Sequence, residues 1–89
     1  MDPMDLTQAA LTSLCAAFSI ASGDNVAYRM WLNRYEGKEG KRAYFFIEGD
    51  CVEYRFDVEP NLAMVSYLEE ALKCLKVCWE KDRDRYNNT

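Results

Sequence analysis

The stretch Lys41-Arg42-Ala43-Tyr44-Phe45-Phe46-Ile47-Glu48-Gly49-Asp50-Cys51-Val52-Glu53-Tyr54-Arg55-Phe56-Asp57-Val58 decides the fold. Two runs rich in aromatic and β-branched residues flank Gly-Asp, which is the composition of a β-hairpin with Gly at the first turn position. A two-residue turn at Gly49-Asp50 makes Glu48 face Cys51. The ladder then runs Ile47–Val52, Phe46–Glu53, Phe45–Tyr54, Tyr44–Arg55, Ala43–Phe56 and Arg42–Asp57. Side chains alternate across a strand. One face therefore collects Ala43, Phe45, Ile47, Val52, Tyr54 and Phe56, a core face. The other holds Arg42, Tyr44, Phe46, Cys51, Glu53, Arg55 and Asp57. Arg42 opposite Asp57 is a complementary pair that supports this register.

Upstream, residues 25–36 admit two readings. As a helix, Tyr28, Trp31, Leu32 and Tyr35 share a stripe, with Asp24 as cap and Gly37 as stop. As a strand, Val26, Tyr28, Met30 and Leu32 alternate with Ala27, Arg29, Trp31 and Asn33. A four-residue loop Gly37-Lys38-Glu39-Gly40 pairs Glu36 with Lys41, and sets Leu32 beside Phe45 and Met30 beside Ile47. Both turns then define the same core face, and that agreement favours the strand.

Beyond Glu59-Pro60 the apolar period becomes 3.6. Met64, Val65, Leu68, Ala71, Leu72, Leu75, Cys78 and Trp79 form one arc of a helix expected over about residues 61–83. Such a helix is about 35 Å long, against about 27 Å for eight-residue strands. Lys81 to Tyr86 should therefore overhang into solvent, and Asn87-Asn88-Thr89 should fray. At the other end, Asp2 suits a cap, Pro3 a first helical position, Asp5 the first turn and Gly23 a stop. Leu6, Ala10, Leu14, Ala17 and Ala21 form a stripe that Leu11, Cys15 and Phe18 widen, and Gln8, Thr12 and Ser19 leave a narrow polar strip. A helix this apolar is expected to be covered on more than one side, between a sheet and a helix or against a second copy. The expected architecture is α+β, ordered α-β-β-β-α: a three-stranded antiparallel meander with two helices on one face, in a single domain over residues 1–89.

Composition narrows the function. The 89 residues carry 11 Lys+Arg and 15 Asp+Glu, a net charge of −4, which opposes generic polyanion binding. The absence of histidine removes the commonest general base and zinc nitrogen ligand. Gly37, Gly40 and Gly49 match no phosphate-binding pattern, and no carboxylate spacing follows a calcium loop. A non-enzyme without cofactor or metal is expected. Cys74 and Cys78, one helical turn apart, read as half a metal site or as packing residues; with no second cluster, packing is favoured. Cys15 and Cys51 complete the set, and reduced thiols in a cytosolic compartment are expected. Met1-Asp2-Pro3-Met4-Asp5 lacks the positive charge of a secretory signal. Residues 6–23 are uncharged, but Thr, Gln and Ser interrupt them, which argues against a membrane span.

The feature left over is the second face of the sheet. Trp31, Tyr35, Tyr44 and Phe46 gather there, ringed by Arg29, Arg42, Arg55, Glu53 and Asp57. Large exposed apolar patches mark interaction sites, and Trp, Tyr and Arg dominate binding energies. Charge is also uneven: Arg29 to Arg42 sums to 5 − 2 = +3, and Glu48 to Glu70 to 1 − 7 = −6. The expected function is a small non-catalytic protein-interaction module. Trp31, Tyr35, Arg42, Tyr44, Phe46, Glu53, Arg55 and Asp57 are its expected partner-binding residues. Glu48, Asp50, Glu59, Glu69 and Glu70 supply an acidic surface for a basic protein partner, or the face serves a homodimer. By analogy of size and charge, such a chain suits a viral or mobile-element inhibitor that mimics DNA before a host nucleic-acid-handling protein, in the cytoplasm. The alternative is single-stranded nucleic-acid binding, with rings stacking bases and Arg29, Arg34, Lys38, Lys41 and Arg42 following the phosphates.

Overall fold

The computed structural model describes residues 3–23 and 27–87. Helix α1 spans Pro3–Ser22, strands β1, β2 and β3 span Arg29–Gly37, Gly40–Glu48 and Glu53–Val58, and helix α2 spans Met64–Asn87. The strands form one antiparallel sheet in the order β1-β2-β3. This is the expected α-β-β-β-α arrangement of an α+β fold, with β1 in place of the alternative helix. The expected roles of Asp2, Asp24 and Val26, and the fraying of Asn88 and Thr89, concern positions outside the described residues, whereas Asn87, expected to fray with them, belongs to α2.

Between β1 and β2 the register is the one the turn implies: Glu36 faces Lys41, Leu32 faces Phe45 and Met30 faces Ile47. The connection is tighter than a four-residue loop, because Gly37 also pairs with Gly40 and leaves only Lys38-Glu39 between them. Gly40 sits at φ 112°, which a side chain would oppose.

Between β2 and β3 the expected register is wrong by two residues. Residues 49–52 form a four-residue loop in which the Gly49 N–H donates to the Val52 carbonyl at 2.8 Å. Glu48 therefore faces Glu53, Ile47 faces Tyr54, Phe45 faces Phe56 and Tyr44 faces Asp57. A shift of two keeps every side chain on its own face, so the inside and outside assignments of the strand residues survive. Cys51 and Val52 leave the ladder, and the Arg42–Asp57 cross-strand pair is lost. Instead Arg55 Nε lies 3.7 Å from Asp57 Oδ1, and Arg42 Nη1 lies 4.0 Å from Glu39 Oε2. Gly49 lacks the positive φ its expected turn requires. What disfavours a side chain there is space: a Cβ would lie 3.2 Å from the Tyr28 ring, which would have to shift by a few tenths of an ångström.

The core lies between the inner sheet face and both helices. Met30, Leu32, Ala43, Phe45 and Ile47 are buried against Tyr67, Ala71, Leu75 and Cys78 of α2 and against Leu11 and Cys15 of α1. The buried face of α2 is rotated from the expected arc. Met64, Val65 and Leu72 are exposed, and Tyr67 takes a fully buried place. An aromatic ring with a hydroxyl can do so when the hydroxyl is satisfied. Tyr67 meets Phe45 edge-on at 6.2 Å and donates to the Glu59 carbonyl at 2.9 Å.

Helix α1 packs against α2 and β1. Gly23, at φ 72°, ends it and donates to the Ile20 carbonyl at 3.3 Å. Within this chain α1 is covered on one side only, with Ile20 83% and Leu6 48% exposed. Its expected polar strip is not all solvent-facing. Gln8 Nε2 donates to the Met30 carbonyl at 2.8 Å, and the Leu32 N–H donates to Gln8 Oε1 at 3.2 Å. The amide thus satisfies two groups on the outer edge of β1, as a further strand would. Truncating Gln8 to Ala is expected to cost about 1–2 kcal/mol, since two hydrogen bonds of about 1 kcal/mol each are lost; urea unfolding measures it. No helix among the described residues is long and apolar enough to cross a membrane.

Candidate functional site: the outer face of the sheet

Alternation along the paired strands builds a grid on the side away from the helices. Arg29, Glu48 and Glu53 form its first row, and Trp31, Phe46 and Arg55 its second. Asn33, Tyr44 and Asp57 form the third, and Tyr35 faces Arg42 in the fourth. All eight residues expected to bind a partner lie on this one face.

No residue of the grid belongs to the core cluster. Trp31 is 38% and Tyr35 43% exposed, and Tyr44 and Phe46 are half-buried by their neighbours in the grid. The Trp31 and Phe46 rings lie 5.9 Å apart, and Tyr35 and Tyr44 meet edge-on at 6.0 Å. The Arg55 guanidinium covers Tyr44 at 3.9 Å from the ring centroid. These contacts link the rings and the guanidinium across the face. The strand charges of the grid balance: Arg29, Arg42 and Arg55 against Glu48, Glu53 and Asp57, 3 − 3 = 0.

The five residues expected to make an acidic surface do not all come together: Glu59 and Glu70 line one groove with Asp57, Lys41 and Arg42, and the others lie apart. Glu48 and Asp50 lie with Glu53 at one end of the sheet, while Glu59 follows the Ala43–Val58 pair at the other. Six residues of extended chain separate the levels of Glu48 and Arg42, about 20 Å. Glu69 and Glu70 lie on α2, where Glu70 pairs with Lys73 at 3.4 Å. The basic residues expected to follow phosphates are also divided. Arg29 and Arg42 share the outer face. Arg34 has the inner parity, with its guanidinium 5.4 Å from the buried Tyr67 ring, and Lys41 shares that parity. Lys38 lies in the turn.

A second cluster lies where the chain was expected to overhang. Asp82 is only 5% exposed. Its Oδ2 accepts from the Tyr28 hydroxyl at 2.6 Å, and its Oδ1 accepts from the Tyr54 hydroxyl at 2.6 Å. Arg85 Nη1 pairs with Oδ1 at 3.2 Å, and Nη2 reaches the Tyr54 oxygen at 3.4 Å. Continuing the spacing Ala71, Leu75, Cys78 by four residues lands on 82, so helical phase was the available signal. An aspartate at that phase reads as solvent-facing until its hydroxyl partners are known.

Burial first, and then the Asp82 carboxylate, raise the pKa of Tyr28 and of Tyr54. Burial likewise pushes the Cys15 and Cys74 thiols up to about 11 and Cys78 up to about 12, from an ordinary value of 9.0. Thiols so shifted stay protonated at neutral pH, the reverse of activation. Cys78 is fully buried in the core and Cys74 packs beside it. Among the described residues no three His, Cys, Asp or Glu side chains are grouped to hold a metal. Groups whose folded pKa is raised stabilise the fold below their unfolded pKa, and that stability is lost as pH rises through the folded value. The melting temperature is thus expected to hold up to about pH 8.5 and to fall steadily above about pH 9. Constant melting up to about pH 11 would contradict the burial of these thiols and phenols.

Searches of protein-family models, curated proteins and solved structures found no match to this chain.

Proposed function

We propose that the protein is a non-catalytic docking module that binds a protein partner with the outer face of its sheet. The observation that carries this reading is the disposition of the helices. Both pack on the inner face, leaving four large aromatic side chains in two contacting pairs on the other side. Ordered Trp, Tyr and Arg side chains are the usual energetic centres of protein interfaces. The balanced charge of the face suits a surface carrying both signs, whereas a nucleic-acid backbone calls for a basic excess.

Inhibition of a nucleic-acid-handling protein by acidic mimicry remains a narrower form of this function. It draws on the net charge of −4 and needs one partner that reaches Glu48, Asp50 and Glu53 at one end of the sheet and Glu59, beside Arg42, at the other. The test compares wild type, Trp31→Asp and Tyr44→Asp as immobilised baits in extract of the native cell. Lys76→Glu, an exposed position on α2 outside every expected binding residue, is the control. Loss of a stoichiometric partner with the two face variants, and its retention by the control, is expected; equal capture by all four overturns the reading. Titration of a labelled single-stranded oligonucleotide at low salt is expected to show no binding up to about 0.1 mM, the weak end of non-specific affinity. Tighter binding would favour the nucleic-acid alternative.

A further inference from the structure

We propose that the partner on this face is a second copy of the chain, related by a two-fold axis that lies between the stacked sheets and runs perpendicular to the strands. The inference rests on the reading of the face as a protein-docking surface and names its occupant.

Self-association through one patch requires that the patch complement itself. A two-fold perpendicular to the strands lays each strand over its own copy and exchanges the first row of the grid with the fourth, and the second with the third. Along β2 the outward residues read Glu48, Phe46, Tyr44, Arg42. Reversed upon itself, this series sets Glu48 of one copy over Arg42 of the other, and Phe46 over Tyr44, each contact occurring twice. On β3 the same operation sets Arg55 over Asp57. Those residues already pair within one chain at 3.7 Å, so two copies would make a ring of four alternating charges. On β1 it sets Arg29 over the Tyr35 ring. Glu53 approaches Glu59, the residue after β3, and this like-charge contact also occurs twice, at the rim where water and salt screen it. Aligned sheets cross at about 30°, so these are correspondences of neighbourhood, not of single atoms.

The competing axis, parallel to the strands, would set Arg29 over Glu53 but stack Glu48 on Glu48 and Arg42 on Arg42 at the two ends of the central strand. The charge order of β2 therefore selects the perpendicular axis. The grid is about 14 Å by about 27 Å, from strand spacing and residue rise. With side-chain relief, two copies bury roughly 1,000 Å², the low end for a specific interface. A reversible dimer with a dissociation constant on the order of 10 µM is the corresponding expectation.

The test is sedimentation of the full chain from about 1 to about 500 µM at low salt, for wild type, Glu48→Arg, Arg42→Glu and the double variant; melting curves confirm the fold of each. The wild type is expected to approach twice the chain mass. Each single variant is expected to weaken association roughly tenfold by placing like charges together, and the double variant to recover it. Glu48→Gln, which is milder should reversal disturb the fold, is expected to weaken the dimer as well. A wild type that stays monomeric throughout overturns the second copy as occupant, and the capture experiment then judges the docking face by itself. A dimer indifferent to the single variants, or strengthened by Glu48→Gln, overturns the two-fold.

Discussion

Replacing Asp82 with Ala is expected to lower the unfolding free energy by about 3 kcal/mol, an unusually large loss for a charged residue near a helix end. The carboxylate accepts hydrogen bonds from Tyr28 and Tyr54 at 2.6 Å each, and Tyr28 is buried. Truncation strands the buried Tyr28 hydroxyl without its acceptor, at about 1–3 kcal/mol, and removes two bonds to a charged group. Asp82→Asn keeps one carbonyl oxygen and should lose about half as much. Arg85→Ala should cost under about 1 kcal/mol, because that side chain is 46% exposed and solvent screens its ion pair. Urea midpoints of the three variants rank these contributions. If Asp82→Ala melts with the wild type, the clasp has no structural role. Tyr28 leads into β1, Tyr54 lies on β3 and Asp82 on α2, so one carboxylate ties the last turns of α2 to both outer strands. Its loss should also loosen the grid on the opposite face.

The second large effect separates two adjacent phenylalanines. Phe45→Ala is expected to cost about 3–5 kcal/mol. Phe45 is fully buried on the central strand, between Leu32 and Phe56 and edge-on to Tyr67. Domains of this size rarely hold more than about 10 kcal/mol, so most of the margin would disappear. Phe46→Ala, one residue on and facing outward, is expected to cost about 1 kcal/mol, because only partial burial is lost. Its consequence should appear in binding, as a loss of about tenfold or more in affinity for whatever occupies the face. Thermal melts and a binding isotherm on the same two proteins read both halves. Equal destabilisation by the two substitutions would place Phe46 in the core and remove the basis for the interface.

The contrast between Phe45 and Phe46 was legible in the sequence because it depends only on parity. The hairpin register was wrong by two residues, yet no strand residue changed face. The side chains that resisted reading serve polar needs created elsewhere in the chain. Gln8 answers an open strand edge 22 residues away, and Asp82 answers hydroxyls at 28 and 54. Apolar periodicity carries no signal for Gln8, and for Asp82 it gives the inward phase but not the hydroxyl partners. Tyr67 was passed over on α2 for the same reason: its place in the core depends on a carbonyl at Glu59 that accepts its proton. Gly49 reads as a turn glycine, yet its φ is not positive, and the crowding that favours it comes from the Tyr28 ring beside it.

Hydroxyl-radical labelling of the protein, dilute and alone and then saturated with the partner it captures, compares most directly the surfaces that the fold leaves available. Trp31 and Phe46 should label readily in the free chain and become protected on binding, while Trp79, on α2, keeps its rate. Protection confined to Leu6 and Ile20 on the uncovered side of α1, with Trp31 as reactive as before, would move the interface off the sheet.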